Sequence, residues 1–388
     1  MIRSSGNDSH FPGVSLRSLP EPGSADSDVA SLPAVPGAED PPSTTASATP
    51  LIVTSLAGVL AVSVLLAIGL GAATVPPGET LRYLWAAVTG GSISADEVTA
   101  YQIIWQVRTP RVLLAVLVGA GLSVVGVAIQ AMVRNALADP FVLGVSSGAS
   151  AGAVLVGVTG ALTALGIYAV SAGAFLGALL VSALVYLASR GAGGLMPLRL
   201  VLTGVAMAFG FQAVMSLIVY FVPDGESTST VLFWSMGGFG AATWGALPVV
   251  TVVTVVTVVV LRRFARSLDV LALGDETSVS LGVDTVRLRR GLFVLTSLAT
   301  GAMVAVSGAI GFVGLVIPHL VRLWVGAAHG RVLAIAPLVG AVFMVWADLV
   351  ARTLVAPREL PLGVITALVG VPVFVVLLRR RGYLFGGR

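Results

Sequence analysis

The chain has 388 residues, of which 56% are hydrophobic and 10% charged, with a mean hydropathy of +1.00. Soluble domains carry roughly 25% charged residues, so a soluble globular fold is excluded. The formal charge of +4 comes from Arg alone, without Lys and without Cys. That removes disulfides and thiolate chemistry, Schiff-base lysines and the Walker A phosphate loop, whose Lys is essential.

Residues 1–48 are rich in Pro, Ser, Ala, Asp and Glu and show no periodicity. They read as a disordered cytoplasmic tail. They are not a signal peptide, because no basic stretch immediately precedes the first apolar run near Leu51. The remainder, 49–388, reads as a membrane domain. Ten apolar segments are expected at 51–73, 111–133, 141–159, 162–188, 197–222, 243–262, 291–307, 310–325, 333–354 and 361–379. About 20 apolar residues suffice to cross a ~30 Å hydrocarbon core. The runs are solidly apolar, unlike the alternating strands of a barrel. The expected fold is therefore an all-α polytopic membrane protein. The eighth span is short and broken by Gly, as discontinuous helices at transport sites are. The stretch 228–240, TSTVLFWSMGGFG, reads as a short re-entrant or surface helix.

With the N-terminus inside, seventeen Arg fall on the cytoplasmic side and five outside: Arg82, Arg108, Arg111, Arg352 and Arg358. Cytoplasmic loops carry the excess of basic residues, which supports both the orientation and an even number of spans. GAGLSVVGVAIQ (119–130) echoes GAMVAVSGAIGF (301–312) across oppositely directed spans. An inverted repeat explains the echo; so does the general likeness of small-residue helices. The Gly173/Gly177 pair is a packing signal, since small residues let membrane helices approach.

Four constellations stand out. The loop 263–290 contains LGDETSVSLGV (273–283), with a break at Gly274. Asp275 is a candidate N-cap for a short helix Glu276–Leu281 that Gly282 ends. The loop is either a solvated linker or a pair of short helices that dock on a partner. Next, GAIGFVGLVIPHLVRLWVG (308–326) places Pro318, His319 and Arg322 near a cytoplasmic helix end. The three His, at 10, 319 and 329, form no ligand cluster, so no metal site is expected. Third, Arg108, Arg111 and Arg352 flank outer span ends, and Asp348 is a possible i,i+4 partner for Arg352. Outer arginines serve either as interfacial anchors or as forks for carboxylates. Last, the turn RNALADP (134–140) offers Asn135 and Asp139 as caps and Pro140 as a helix opener, and ELPLG (359–363) is a similar cap before the tenth span.

Over about residues 51–388 the chain closely resembles the FecCD-type permease subunits of bacterial ABC importers for iron-siderophores, haem and cobalamin. The resemblance is carried by RTPR…RNALADP (108–140), by LGDETSVSLGV and by the GFVGLVIPHLVR block. It implies a type II importer fold with inverted repeats and no ATPase site of its own. ATP and Mg would be used by a partner ATPase, and no cofactor is bound by this chain. It implies that Leu273, Gly274, Asp275, Glu276, Leu281, Gly282 and Val283 form the coupling loop on that ATPase. It implies that Arg108, Arg111 and Arg352 meet glutamates of an extracytoplasmic binding protein. Arg134, Asn135, Asp139, Pro140, Pro318, His319 and Arg322 match the family's cytoplasmic motifs. A second permease subunit, identical or paralogous, would complete a path across the bacterial cytoplasmic membrane. Spans three, five and ten, with 228–240, are the expected lining. The cargo expected is a ferric siderophore, with cobalamin or haem as the alternative. An ion-coupled secondary transporter is the distant rival, which requires acids inside spans as relays.

Overall fold

A computed structural model describes residues 44–71, 74–191, 194–221 and 234–379. The expected tail up to residue 43 and the part of 228–240 before Trp234 lie outside the described residues. The first helix, α1, spans Thr44–Gly69 and so begins inside the stretch read as tail.

The ten expected spans correspond to helices. Among the described residues, six helices are long and apolar enough to cross a membrane, a seventh if one bent pair counts, and three apolar helices are shorter. Helix α1 is followed by α2 (Pro77–Thr89) and α3 (Val98–Gln102). A π-helical turn, 103–108, runs from α3 into α4 (Thr109–Val133). Then come α5 (Val145–Thr159), α6 (Ala169–Ser189) and α7 (Pro197–Tyr220). A two-residue hairpin, β1 (Arg190–Gly191) with β2 (Gly194–Leu195), joins α6 to α7. Helix α8 (Leu247–Arg263) bends by 61° into α9 (Ala265–Ala272). The chain ends with α10 (Asp275–Ser280), α11 (Thr285–Ser307), α12 (Val313–Val325), α13 (His329–Thr353) and α14 (Leu362–Arg379).

Helices α2 and α3 were not among the expected elements. Their signal is positional rather than periodic. Pro77 occupies the first helical position and Gly90 closes α2 in the left-handed region at φ +71°, the usual order of these two residues around a helix. Leu81, Trp85 and Val88 remain exposed along one side of α2, the character of a helix lying in a membrane interface.

Helix α4 is the central post. Nearly all its side chains are buried, and it packs against α8, α11, α12 and α13. Lipid tails are as apolar as Leu, so close backbone approach supplies the packing. Gly119 meets the Gly340 carbonyl of α13, and Gly126 meets that of Gly314 in α12; a Cβ has no room at either position. The expected Gly173/Gly177 pair packs in the same way on Gly152 and Gly148 of α5.

The eighth span, α12, is short as expected but continuous; the break lies before it, between the seventh and eighth spans. Helix α11 stops at Ser307, and Gly308 adopts φ +65°. Residues 308–312 are not helical before α12 begins. Residues 234–240 fill this gap: the Gly238 N–H donates to Ser307 O at 2.8 Å, and the Leu362 N–H donates to Gly237 O at 3.0 Å. A backbone off the helical path is tolerated in a membrane only where protein satisfies it, and these bonds do so.

Candidate functional site

Two clusters of charge sit at opposite ends of α4. One gathers around Arg289, where α4 ends. The other gathers around Arg111, where α4 begins.

At the Arg289 end, α9 is amphipathic. Leu268 and Leu271 are fully buried, while Asp269 points aside. Asp269 accepts the His329 backbone N–H at 2.8 Å and lies 2.7 Å from its Nδ1. A carboxylate at the first turn of α13 also suits the helix dipole. Burial pushes the Asp269 pKa up, but the bonds from His329 outweigh it and hold the carboxyl below its usual range.

Gly274 turns the chain at φ +112°, a conformation that disfavours any side chain. The Ser278 hydroxyl of α10 donates to Val270 O at 2.9 Å, which folds α10 back on α9. Asp275 does not act as the expected N-cap. Gly274 stands at that position, and no side-chain bond caps the helix. Asp275 instead accepts both forks of Arg289, at 2.8 and 2.5 Å. A bidentate, charge-assisted pair is stronger than a single cap bond, and the bond from Arg289 is the main cause of the lowered Asp275 pKa. Arg289 also donates from Nε to Met132 O at 3.2 Å, satisfying a carbonyl at the end of α4. One guanidinium thus ties α10, α11 and α4 together. Gly282, at φ +80°, ends the motif as expected. Among the residues that remain outward are three large apolar ones: Leu273, Val279 and Leu281 are 64%, 62% and 60% exposed. Glu276 is exposed beside them, and Val283 is half-buried.

The RNALADP turn and the Pro318–Arg322 motif meet nearby. Arg134 closes α4 at φ +52°, with its guanidinium beside Gly274. Asn135 Oδ1 accepts the Leu137 N–H at 2.9 Å. Asp139 accepts the Phe141 N–H at 2.9 Å, opening the short helical turn that Pro140 begins. It also accepts the backbone N–H of Leu315, one of the donors left over at the start of α12. Burial raises the Asp139 pKa to about 6. Pro318 has no N–H, so the Gly314 carbonyl four residues earlier lacks its helical donor. Gln130 of α4 supplies one, from Nε2 at 3.2 Å, and its Oε1 accepts Arg322. Gln130 was not among the expected site residues; the proline four residues after Gly314 is the signal that could have found it. His319 is buried on the same helix.

At the Arg111 end the three arginines of the expected docking set turn into the protein. Arg108, Arg111 and Arg352 do not face outward; all three are buried. Arg108 donates to Ile68 O and Gly69 O at 3.1 and 2.8 Å. Arg352 donates to Leu70 O at 2.9 Å and to Ala67 O. The physical reason is α1, whose last turn ends in unpaired carbonyls and holds no basic residue of its own. Two guanidiniums from elsewhere cap it. Arg111 grips Asp348 from Nε at 2.9 and 3.1 Å and Glu359 from its two forks at 2.8 and 3.1 Å. Arg352 Nε lies 3.4 Å from Asp348, the i,i+4 pair anticipated. Asp348 is 2% exposed, whereas Glu359 is 39% exposed. Glu359 was read only as part of a helix cap. Three arginines converging with a single acid between them is the signal that a second was needed.

A cavity of about 770 Å³ opens between the break at 308–312 and α14, lined by Asp139, Phe141, Met236, Phe312 and Leu368 among others. Of the expected lining, residues 234–240 and the tenth span border it, and the third contributes only its entry at Phe141.

A bundle of apolar helices long enough to cross a membrane, with a break at 308–312 and short helices folded against it, defines a polytopic membrane protein. The chain belongs to the FecCD transport family, whose model matches residues 59–380. It is 39% identical over 324 residues to the ABC transporter permease protein YvrB of Bacillus subtilis, covering 83% of this chain and 91% of that one. It is 38% identical over 304 residues to the hemin transport system permease HmuU of Yersinia pestis, covering 78% and 88%. Other relatives are import permeases for molybdate, cobalamin and Fe(3+)-citrate. A solved metal-chelate-type ABC transporter, in an inward-facing conformation, superposes with a TM-score of 0.73 at 34% identity, covering 85% of this chain and 99% of that one. The fold is that of a type II ABC importer permease, and the chain is a multi-pass permease subunit.

Proposed function

We propose that this permease carries a ferric siderophore inward across the cytoplasmic membrane, driven by a partner ATPase at the Arg289 end. The observation that carries the reading is the α9–α10 pair. It is anchored by Arg289 and Asp269, yet it presents Leu273, Val279 and Leu281 to the surroundings. Apolar side chains gathered on a charged, membrane-flanking motif suit a protein partner. Force applied there passes through Arg289 to α4 and α11, and through Asp269 to α13. In this orientation the Arg111 end faces outward and receives a binding protein. A second permease copy or a paralogue completes the path, which the 770 Å³ cavity helps to line. Alternating access then follows from ATP-driven bias between two states.

Haem is the second reading, favoured by the hemin permease of Yersinia pestis among the relatives. The ion-coupled rival gains no support, because the buried acid Asp348 is held between two arginines. The test is uptake of radiolabelled ferric siderophore, haem and cobalamin in cells with and without this chain. Loss of siderophore uptake alone supports the cargo. Loss of only haem or cobalamin uptake keeps the machine and changes its cargo. Normal uptake of all three contradicts the proposal.

A further inference from the structure

Glu359 is a carboxylate from this chain seated in the place a partner's carboxylate would take. Arg111 gives Nε to Asp348, one terminal nitrogen to Glu359 at 2.8 Å, and shares the other between Asp348 at 2.9 Å and Glu359 at 3.1 Å. The two acids differ in access: Asp348 is sealed in, and Glu359 is 39% exposed. At this end three guanidiniums, of Arg108, Arg111 and Arg352, stand against two carboxylates, with exposed Arg358 beside them. The cluster therefore keeps an excess positive charge that suits an incoming acid. A planar guanidinium binds one carboxylate in two parallel bonds, so a second acid gains the same fork only by displacing the first.

Glu359 also sits at a mechanically useful place. The loop 354–361 is exposed along most of its length and holds to the bundle at few points. One is the Glu359–Arg111 pair. Another is the Leu360 N–H, which donates to Ala351 O at 2.8 Å. Directly after it, the Leu362 N–H bonds Gly237 O, and α14 begins along the cavity wall.

We infer that Glu359 is an internal latch: an acidic side chain of a docking protein exchanges with it on Arg111, and its release loosens the loop that leads into α14. This deepens the docking reading of the Arg111 end and rests on it for the identity of the incoming acid. The latch itself is testable without a partner.

The chain has no Cys, so a nitroxide on Val355→Cys reports this loop alone. The full chain is reconstituted in lipid nanodiscs, with and without Glu359→Gln. The label is expected to shift from a slow to a fast component in the variant. The probe for exchange is N-acetyl-Glu-Glu amide, with the Gln-Gln dipeptide as control. If Glu359 fills the fork nine-tenths of the time, its removal tightens probe binding about tenfold, because a site open a tenth of the time shows a tenth of its intrinsic affinity. An unchanged label spectrum overturns the latch, whatever the docking chemistry. A freed label without tighter binding of the Glu probe overturns the exchange, and with it the docking reading of Arg111.

Discussion

The two ends of α4 use arginine in opposite ways. At the Arg111 end, three guanidiniums are turned inward and saturate α1 and Asp348, leaving one half-exposed acid at the rim. At the Arg289 end, one buried guanidinium supports two short helices whose apolar tips face out. The difference teaches that charge at a membrane surface need not mark the contact surface. In one case the arginines are internal fittings and the acid is accessible. In the other, the ion pair is the bracket and the leucines are the face.

The contrast can be broken most strongly at Asp348. Asp348→Ala leaves Arg111 and Arg352 buried without their shared acid, and removing one partner of a buried pair costs about 3–5 kcal/mol. A marked fall in the melting temperature of the detergent-purified chain is expected. Glu359→Ala in the same cluster should cost under about 1 kcal/mol, as for exposed pairs. Equal losses from the two would show that both acids are structural and would erase the distinction within that end.

At the other end, Arg289→Gln removes the bracket. Leaving Asp275 and the Met132 carbonyl without their donor costs about 1–3 kcal/mol. The expected phenotype is larger in transport than in stability: near-complete loss of uptake at normal membrane levels. Ser278→Ala loosens α10 from α9 by a single hydrogen bond, about 1 kcal/mol, and should lower uptake only partly.

A further effect is a pH slope. Asp139 has a pKa raised by burial to about 6, against an ordinary carboxylate near 3.9. Between these values the unfolded chain has ionised while the folded one keeps its proton. Its contribution to stability is therefore intact below about pH 4 and is lost as pH climbs to about 6. Asp275 and Asp269, both lowered, act in the opposite sense: their contribution is lost as pH falls. Melting temperatures across this range should show a shallower decline with rising pH in Asp139→Asn than in the parent.

Much of the fold was legible because membrane spans declare themselves by run length, which needs no tertiary information. A break near the eighth span was legible through its glycines, though it falls before that span, and the turn motif 273–283 was legible through Gly274 and Gly282. Helix α2 was not, because its apolar face meets the surroundings rather than a core, and only Pro77 and Gly90 mark its limits. The direction of Arg108, Arg111 and Arg352 was also hidden. For Arg108 and Arg352 it depends on where the end of α1, 40 and 282 residues away in sequence, comes to lie, and for Arg111 on Asp348 and Glu359. Asp275 was misjudged for a similar reason: local capping chemistry lost to a guanidinium fourteen residues on. The echo of 119–130 in 301–312 conceals a real difference, since the first copy stays helical and the second breaks at Gly308.

The claim at the centre is that the outward tip of α9–α10 receives the ATPase. The most direct measurement is copurification of the ATPase subunit with the Val279→Asp, Leu281→Asp double variant, which leaves Arg289 and Asp275 untouched. Loss of the ATPase, with the permease folded and inserted at normal levels, is the predicted result. Full retention, with ATP-driven uptake unchanged, would contradict it.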